Sequence, residues 1–291
     1  MSDTPTLMRR RLGTIVKTMR VRAGLSLADA AKLLGLSGAP TLSKIEHGKQ
    51  RPDLDKFFAA YGVDDPAHMA ETRKIAKFAA ASRQRNLFAQ YGDAIRASFA
   101  DFIELEEIAT RADVYAAQVI PGLLQTVDYA HAVIEGSSKW STAREVRTFT
   151  ELRMKRQRIL APPPPHEEPV RDPLWMCCVL DEACLRREIG GPGVHRQQLT
   201  YLLEASEKPN VELQVLSFNA GAHTGLDGSY TMFRFEAGEP IVAVEPLTTS
   251  IYLEEDAHVG RYARAYSSLR AQALDVDGSR RFISRLIEEV H

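Results

Sequence analysis

Cysteine is scarce: Cys177, Cys178 and Cys184 are the only three in 291 residues. They are too few and too bunched for a disulfide framework, and they lack the two-to-four-residue spacing of paired zinc ligands. Two are adjacent within the apolar run Leu174 to Leu180. Neighbouring strand positions face opposite ways, so these cysteines read as buried strand thiols. No stretch approaches the roughly 20 apolar residues that a membrane helix needs, and no apolar signal region follows Arg9-Arg10-Arg11. A cytoplasmic location is expected. Walker and dinucleotide glycine patterns are absent, as is any internal repeat of convincing period. Neither a cofactor nor a metal is expected.

Charge is nearly balanced overall, at −1, but unevenly distributed. Residues 1–64 hold eleven Lys and Arg against six Asp and Glu, a net +5 that leaves −6 for the rest. Such asymmetry suits a basic module attached to a neutral or acidic body. The length and a hydrophobic content of 44% allow a second, larger core.

The basic part has a pattern of its own. Leu27, Ala30, Ala31 and Leu34 fall at i, i+3, i+4 and i+7, so one apolar stripe of a helix faces a core. Ser26 supplies an N-cap oxygen, and Gly35 follows the stripe where a left-handed C-cap residue is needed. In the next helix, which starts with Pro40, only Leu42 and Ile45 point inward. Thr41, Ser43, Lys44 and His47 share the opposite side and are short or cationic enough to meet bases and phosphates. An upstream helix, Leu12 to Ala23, brings Leu12, Ile15, Val16 and Met19 as the packing partner. Lys49 and Arg51 follow the Gly48 C-cap, where they can reach a flanking phosphate. The expected DNA-contacting set is Ser37, Ala39, Pro40, Thr41, Ser43, Lys44, His47, Lys49 and Arg51. Lys44, Lys49 and Arg51 should mainly add salt-dependent affinity, and Thr41, Ser43 and His47 selectivity.

The runs Leu25-Ser26-Leu27-Ala28, Leu34-Gly35-Leu36-Ser37 and Leu42-Ser43-Lys44-Ile45-Glu46-His47-Gly48 resemble the Xre-type helix-turn-helix domain, similar to that of phage repressors. Further on, Gln118-Val119-Ile120-Pro121-Gly122-Leu123-Leu124-Gln125-Thr126 with Asp128-Tyr129-Ala130 resembles the C-terminal domain of unknown function found behind such readers in many actinobacterial regulators. Further matches are Arg156-Gln157, Leu180-Asp181-Glu182-Ala183, Leu185-Arg186-Arg187, Gly190-Gly191, Gln198-Leu199, Pro209-Asn210-Val211 and Gly221-Ala222-His223. The resemblance implies a transcriptional regulator of double-stranded DNA, often encoded beside a small BldB-like partner protein. It implies no established chemistry for the body.

The expected architecture is α+β. Residues 1–66 form an all-α helix-turn-helix domain, 67–112 connecting helices (Ala67 to Gln90, Asp93 to Thr110), and 113–291 a mixed body. Short β-prone runs there are Val114 to Ile120, Leu174 to Leu180, Val211 to Leu216, Ser229 to Phe235 and Ile241 to Val244. Val194 to Lys208, Asp256 to Leu274 and the Arg-rich Ser141 to Leu160 read as helices. Pro162-Pro163-Pro164-Pro165 is a stiff spacer. Arg73, Lys74, Lys77, Arg83 and Arg85 either extend the DNA footprint or are a solvated face.

Three readings of the body compete. It is a docking surface for a partner protein or a second copy, with Ile120 to Ile134 and Arg144, Arg147, Arg153 and Arg156 as contacts, and a homodimer is expected because one small reader binds weakly alone. Alternatively, Tyr115, Trp175, Tyr230 and Phe233 line a small-molecule pocket. Remotely, it is an enzyme using the loop Asn219 to Gly228, with His223 and Asp227, or Asp181-Glu182 near Cys184. Neither constellation has the spacing that nucleophilic or paired-carboxylate catalysis requires, so no enzyme is expected.

Overall fold

The computed structural model describes residues 5–81, 97–137, 142–162, 172–236, 238–247 and 249–290. The chain divides into two compact units. Met1–Glu104 with Glu236–Gly238 make the first, and Leu105–Phe235 with Glu239–His291 the second.

The first unit begins with five helices: α1 (Leu7–Arg22), α2 (Leu27–Leu33), α3 (Ala39–Glu46), α4 (Leu54–Tyr61) and α5 (Pro66–Ala81). Ser26 caps α2 as expected, its Oγ accepting from the Asp29 backbone N–H at 3.2 Å. At the far end Gly35 is left-handed (φ 66°), and the N–H of Leu36 returns to the Ala31 carbonyl at 2.9 Å. That closure reverses the chain into α3. The core gathers Val16 and Met19 of α1, Ala30, Ala31 and Leu34, Leu42 and Ile45 of α3, and Phe57, Phe58 and Tyr61 of α4. Phe57 and Tyr61 meet edge to face with centroids 5.5 Å apart. The expected inward stripes of the first three helices are therefore in place. Helix α5 packs on α1.

Helix α6 (Ala97–Ile108) leads into the second unit, whose centre is a six-stranded sheet: β1 (Arg111–Ala116), β2 (Trp175–Asp181), β3 (Val211–Leu216), β4 (Tyr230–Arg234), β5 (Ile241–Val244) and β6 (Ile251–Leu253). The spatial order is β3-β2-β1-β4-β5-β6. β1, β2 and β3 run parallel, and β4 to β6 continue antiparallel from β1. The parallel strands are joined through α7 (Val127–Glu135) and α8 (Ala143–Arg156), then through α9 (Glu182–Arg186) and α10 (Pro192–Ala205); α11 (Asp256–Gln272) and α12 (Val276–Glu289) end the chain. One face of the sheet, with Tyr115, Cys177, Val179, Tyr230, Met232 and Val242, packs on Val259, Tyr266 and Leu269 of α11. Met176 to Leu180 of β2 are all buried, as a central strand covered on both faces must be. The outer edge of β3 is closed by the chain between α11 and α12: Leu274 N–H donates to the Val215 carbonyl at 2.9 Å, and Val215 N–H donates to Ser279 Oγ at 2.8 Å. Those contacts occupy the outward backbone groups of Val215, so this end of the edge is closed to strand pairing.

The architecture is the expected N-terminal helical region followed by a mixed helix and sheet domain. Three local differences have physical causes. The first strand starts at Arg111, not Val114, because Asp113 is buried in mid-strand between Arg111 Nε (2.7 Å) and Arg234 Nε (2.8 Å). An ion triad inside a strand does not look like one. Cys184 lies on α9, not on a strand; all three thiols are free and buried. Strand β6 and helix α12 were not expected: β6 is only three residues long, and the Gly278-Ser279 opening of α12 hides its Ser279, Ile283 and Leu286 inner face. Pro163 to Pro165, Arg83, Arg85 and Ser141 lie outside the described residues.

Candidate nucleic-acid interface

The geometry of α3 follows from how α1 holds it. At Gly13 of α1 a Cβ would lie 2.4 Å from the Glu46 carbonyl oxygen, and at Gly48 one would lie 2.6 Å from the Arg9 backbone. The two segments thus meet backbone to backbone. Gly48 is also left-handed (φ 72°), and Lys49 N–H closes on the Lys44 carbonyl at 2.8 Å. Beside this contact Arg20 of α1 forms a forked ion pair with Glu46: Nε to Oε1 is 2.6 Å and Nη2 to Oε2 is 3.1 Å. Arg20 Nη1 donates to the Leu25 carbonyl at 2.7 Å. The hydrogen bonds to Glu46 raise the Arg20 pKa further. Burial, with the Glu46 charge second, pushes the nearby Tyr61 hydroxyl up to about 12. Sequence reasoning counted Arg20 only toward the net charge of residues 1–64 and overlooked this clamp. The signal was present: Glu46 stands four residues after Leu42, on the inward face, where a carboxylate needs a cation.

With Leu42, Ile45 and Glu46 turned inward, the opposite side of α3 is left to polar groups. Lys44, His47, Lys49 and Arg51 are exposed, and so are Ser37 and Pro40; Ala39, Thr41 and Ser43 are half-buried. Ser37 Oγ and Thr41 Oγ1 lie 2.6 Å apart, which steadies the entry to the helix. Ser43, Lys44, His47 and Lys49 line one shallow open hollow. The His47 ring is fixed within it, Nδ1 lying 2.7 Å from the Ser43 carbonyl oxygen. Arg51 stands apart, its Nη2 3.4 Å from the Ala80 carbonyl. Of the cations on α5, Arg73 is paired with Asp55 at 2.7 Å and lies over the Phe58 ring, and Lys74 is paired with Glu236 at 2.7 Å.

A family model described as a helix-turn-helix domain matches residues 11–71, which run from α1 into α5. A second, described as a domain of unknown function (DUF5753), matches residues 99–285. The chain belongs to the DUF5753 family. No curated protein and no solved structure gives a significant match.

In this DUF5753 protein the four arginines expected to meet a partner divide. Arg144 and Arg147 are exposed on α8. Arg156 is not available to a partner: it is buried and forms a forked pair with Glu106, at 2.7 and 2.8 Å. Arg153 also turns inward, Nη1 donating to Gln125 Oε1 at 2.9 Å. Burial, and then the charge of Arg156, lower its pKa to about 10. The expected docking segment Ile120 to Ile134 is likewise mostly interior, with Ile120, Leu123, Leu124, Tyr129, Ala130 and Ile134 buried and Val127 exposed. Three glutamines satisfy its backbone. Gln125 Nε2 donates to the Ile120 carbonyl (2.7 Å), Gln198 Nε2 to that of Leu124 (2.7 Å), and Gln157 Nε2 to those of Gly122 and Gln125 (3.0 and 2.6 Å). This run is a polar knot that closes a buried turn.

The aromatic residues expected to line a pocket do not converge. Tyr115 and Tyr230 share one face of the sheet, with centroids 6.0 Å apart, whereas Phe233, at odd spacing from Tyr230, faces the other way and Trp175 is 44% exposed. What does converge is a set at the carboxyl ends of β1 and β2. Tyr115 OH donates to Asp181 Oδ2 at 3.2 Å, and His223 Nε2 lies 3.7 Å from the same oxygen. Gly225 N–H donates to His223 Nδ1 at 3.2 Å, which places the imidazole proton on Nε2, toward Asp181. Asp181 also caps α9 through Ala183 N–H at 2.9 Å. Cys184 Sγ donates to the Ala116 carbonyl at 3.0 Å, and burial raises this thiol to about 12. It is held as a thiol, the form that is not a nucleophile. Among the described residues no group of three or more His, Cys, Asp or Glu is placed to hold a metal ion, and no helix is long and apolar enough to cross a membrane.

Proposed function

We propose that this DUF5753 protein is a sequence-specific DNA-binding transcriptional regulator of the Xre-type, that α3 is its reading helix, and that it acts in the cytoplasm. The observation carrying this reading is the contrast between the two faces of α3. The inner one is clamped by Leu42, Ile45 and the Arg20–Glu46 pair, while the outer one presents Ser43, Lys44, His47 and Lys49, the described residues that line the open hollow. A helix held so firmly with its polar side bare suits a major groove. Thr41, nearer the helix start, is proposed to read bases; Lys44 and Lys49 are proposed to hold phosphates.

Two copies acting together would read half-sites about 10 bp apart, or a multiple of that, since equivalent groove faces recur once per turn. The second unit is proposed to supply dimerisation or the docking of a small partner of the BldB-like kind, with Arg144 and Arg147 the cations left exposed on α8. No catalytic role is proposed. A second reading, effector sensing, draws support from the Tyr115–Asp181–His223 set, because ligands of parallel sheets favour the carboxyl ends of strands, and from the buried, unpartnered hydroxyl of Tyr230 beside it.

Recovery of genomic fragments bound by the full chain tests the main reading. A shared two-fold site, lost on Leu42→Lys replacement, is expected; absence of any retained duplex at low ionic strength overturns it. Titration of the full chain with a candidate partner, free of DNA, separates docking from sensing.

A further inference from the structure

We infer that the hollow formed by Ser43, Lys44, His47 and Lys49 seats one backbone phosphate of the duplex, and that His47 makes this grip depend on protonation. The inference rests on the DNA-binding reading and specifies one contact within it.

The argument starts from the His47 ring. A carbonyl oxygen only accepts hydrogen bonds, so Nδ1 at 2.7 Å from the Ser43 oxygen must carry a hydrogen. In the neutral imidazole Nε2 is then an acceptor, and its lone pair repels a phosphate oxygen. One proton converts Nε2 into a charged donor without any movement of the ring, because Nδ1 keeps the same bond in both states. Charge-assisted hydrogen bonds to phosphate are shorter and stronger than neutral ones. The other groups lining the hollow suit the same ligand: two ammonium groups, from Lys44 and Lys49, and the Ser43 hydroxyl. His47 follows the last turn of α3, whereas base contacts come mainly from the start of a reading helix, which favours the backbone over a base edge.

Among the described residues, the charged groups on the ring's own segment and on the two helices packed against α3 are as follows. On its own segment these are Lys44 and Lys49. Glu46 is turned to the inner face and paired with Arg20. From α1, which passes behind Gly48, come Arg9 and Arg10; Arg10 is paired with Asp101 at 2.8 Å. Helix α2 contributes Asp29, which accepts from Ser26 Oγ at 2.6 Å, and Lys32. A phosphate arriving at the hollow therefore draws a proton onto Nε2, and binding takes up protons. By linkage, affinity rises as pH falls.

Phosphate contacts are independent of sequence, so a mixed-sequence 30 bp duplex serves as the probe. Anisotropy titrations of the full chain at pH 8 and pH 6 are compared with those of His47→Gln, whose amide does not titrate. The wild type is expected to bind about five-fold more tightly at pH 6, with a salt slope steeper by about one counterion than that of the variant. The variant should show a correspondingly smaller pH effect, and matching thermal melts exclude a folding defect. Equal pH dependence in both proteins overturns this inference while leaving DNA binding intact. Failure of the wild type to retain the duplex at either pH and low salt overturns the DNA reading itself.

Discussion

Helices α3 and α8 both read as basic from sequence, and the structure treats their cations in opposite ways. On α8, Arg153 and Arg156 turn inward to Gln125 and Glu106, leaving Arg144 and Arg147 outside. On α3 the inward charge is a carboxylate, Glu46, which draws its cation from α1, so that Lys44 and the following Lys49 stay outside. A cation is available to a ligand when no buried acceptor lies within its reach; its density along the chain says little about that. Exposed cations add salt-dependent attraction, whereas buried pairs fix the position of elements.

Breaking the buried pairs should give the largest effects. Arg156→Ala leaves Glu106 buried and uncompensated, and is expected to lower stability by about 3–5 kcal/mol in urea unfolding. Glu46→Ala should cost about 3 kcal/mol for the same reason, and should weaken DNA binding as well because α3 loses its clamp. The exposed cations should separate cleanly from these. Lys44→Ala is expected to reduce duplex affinity about five-fold and to flatten the salt slope by about 0.9, with little change in melting. Arg147→Ala should shift stability by less than about 0.5 kcal/mol. A large loss there would show that α8 uses its outer arginines structurally, and the contrast with α3 would vanish.

The sequence carries the first unit well, because its signals are local. Ser26, Gly35, Gly48 and the spacing of Leu42 and Ile45 each act within one turn or closure, and each does what its chemistry predicts. The second unit is legible where apolar residues recur at strand period between turn signals, as in Val211 to Leu216, whose bounds are those expected. It becomes illegible where distant partners decide a residue's role. Asp113 reads as a loop residue until Arg234, more than a hundred positions away, is brought beside it. Gln125, Gln157 and Gln198 carry the family resemblance, but spacing alone does not show that they close one buried turn. Likewise Asp181 and His223 read as unrelated residues, and only the parallel order of β1, β2 and β3 brings them to one end of the sheet. For α3 the outer face was foreseen, but the hollow needed the fixed rotamer of His47, which spacing does not reveal.

The meeting of Gly13 and Gly48 with the opposing main chain has a consequence for control. No side chain cushions that contact, so α3 has no slack in which to tilt or slide past α1. On the DNA-binding reading, an input from elsewhere in the chain is therefore expected to move α3 together with α1 rather than to re-aim it alone.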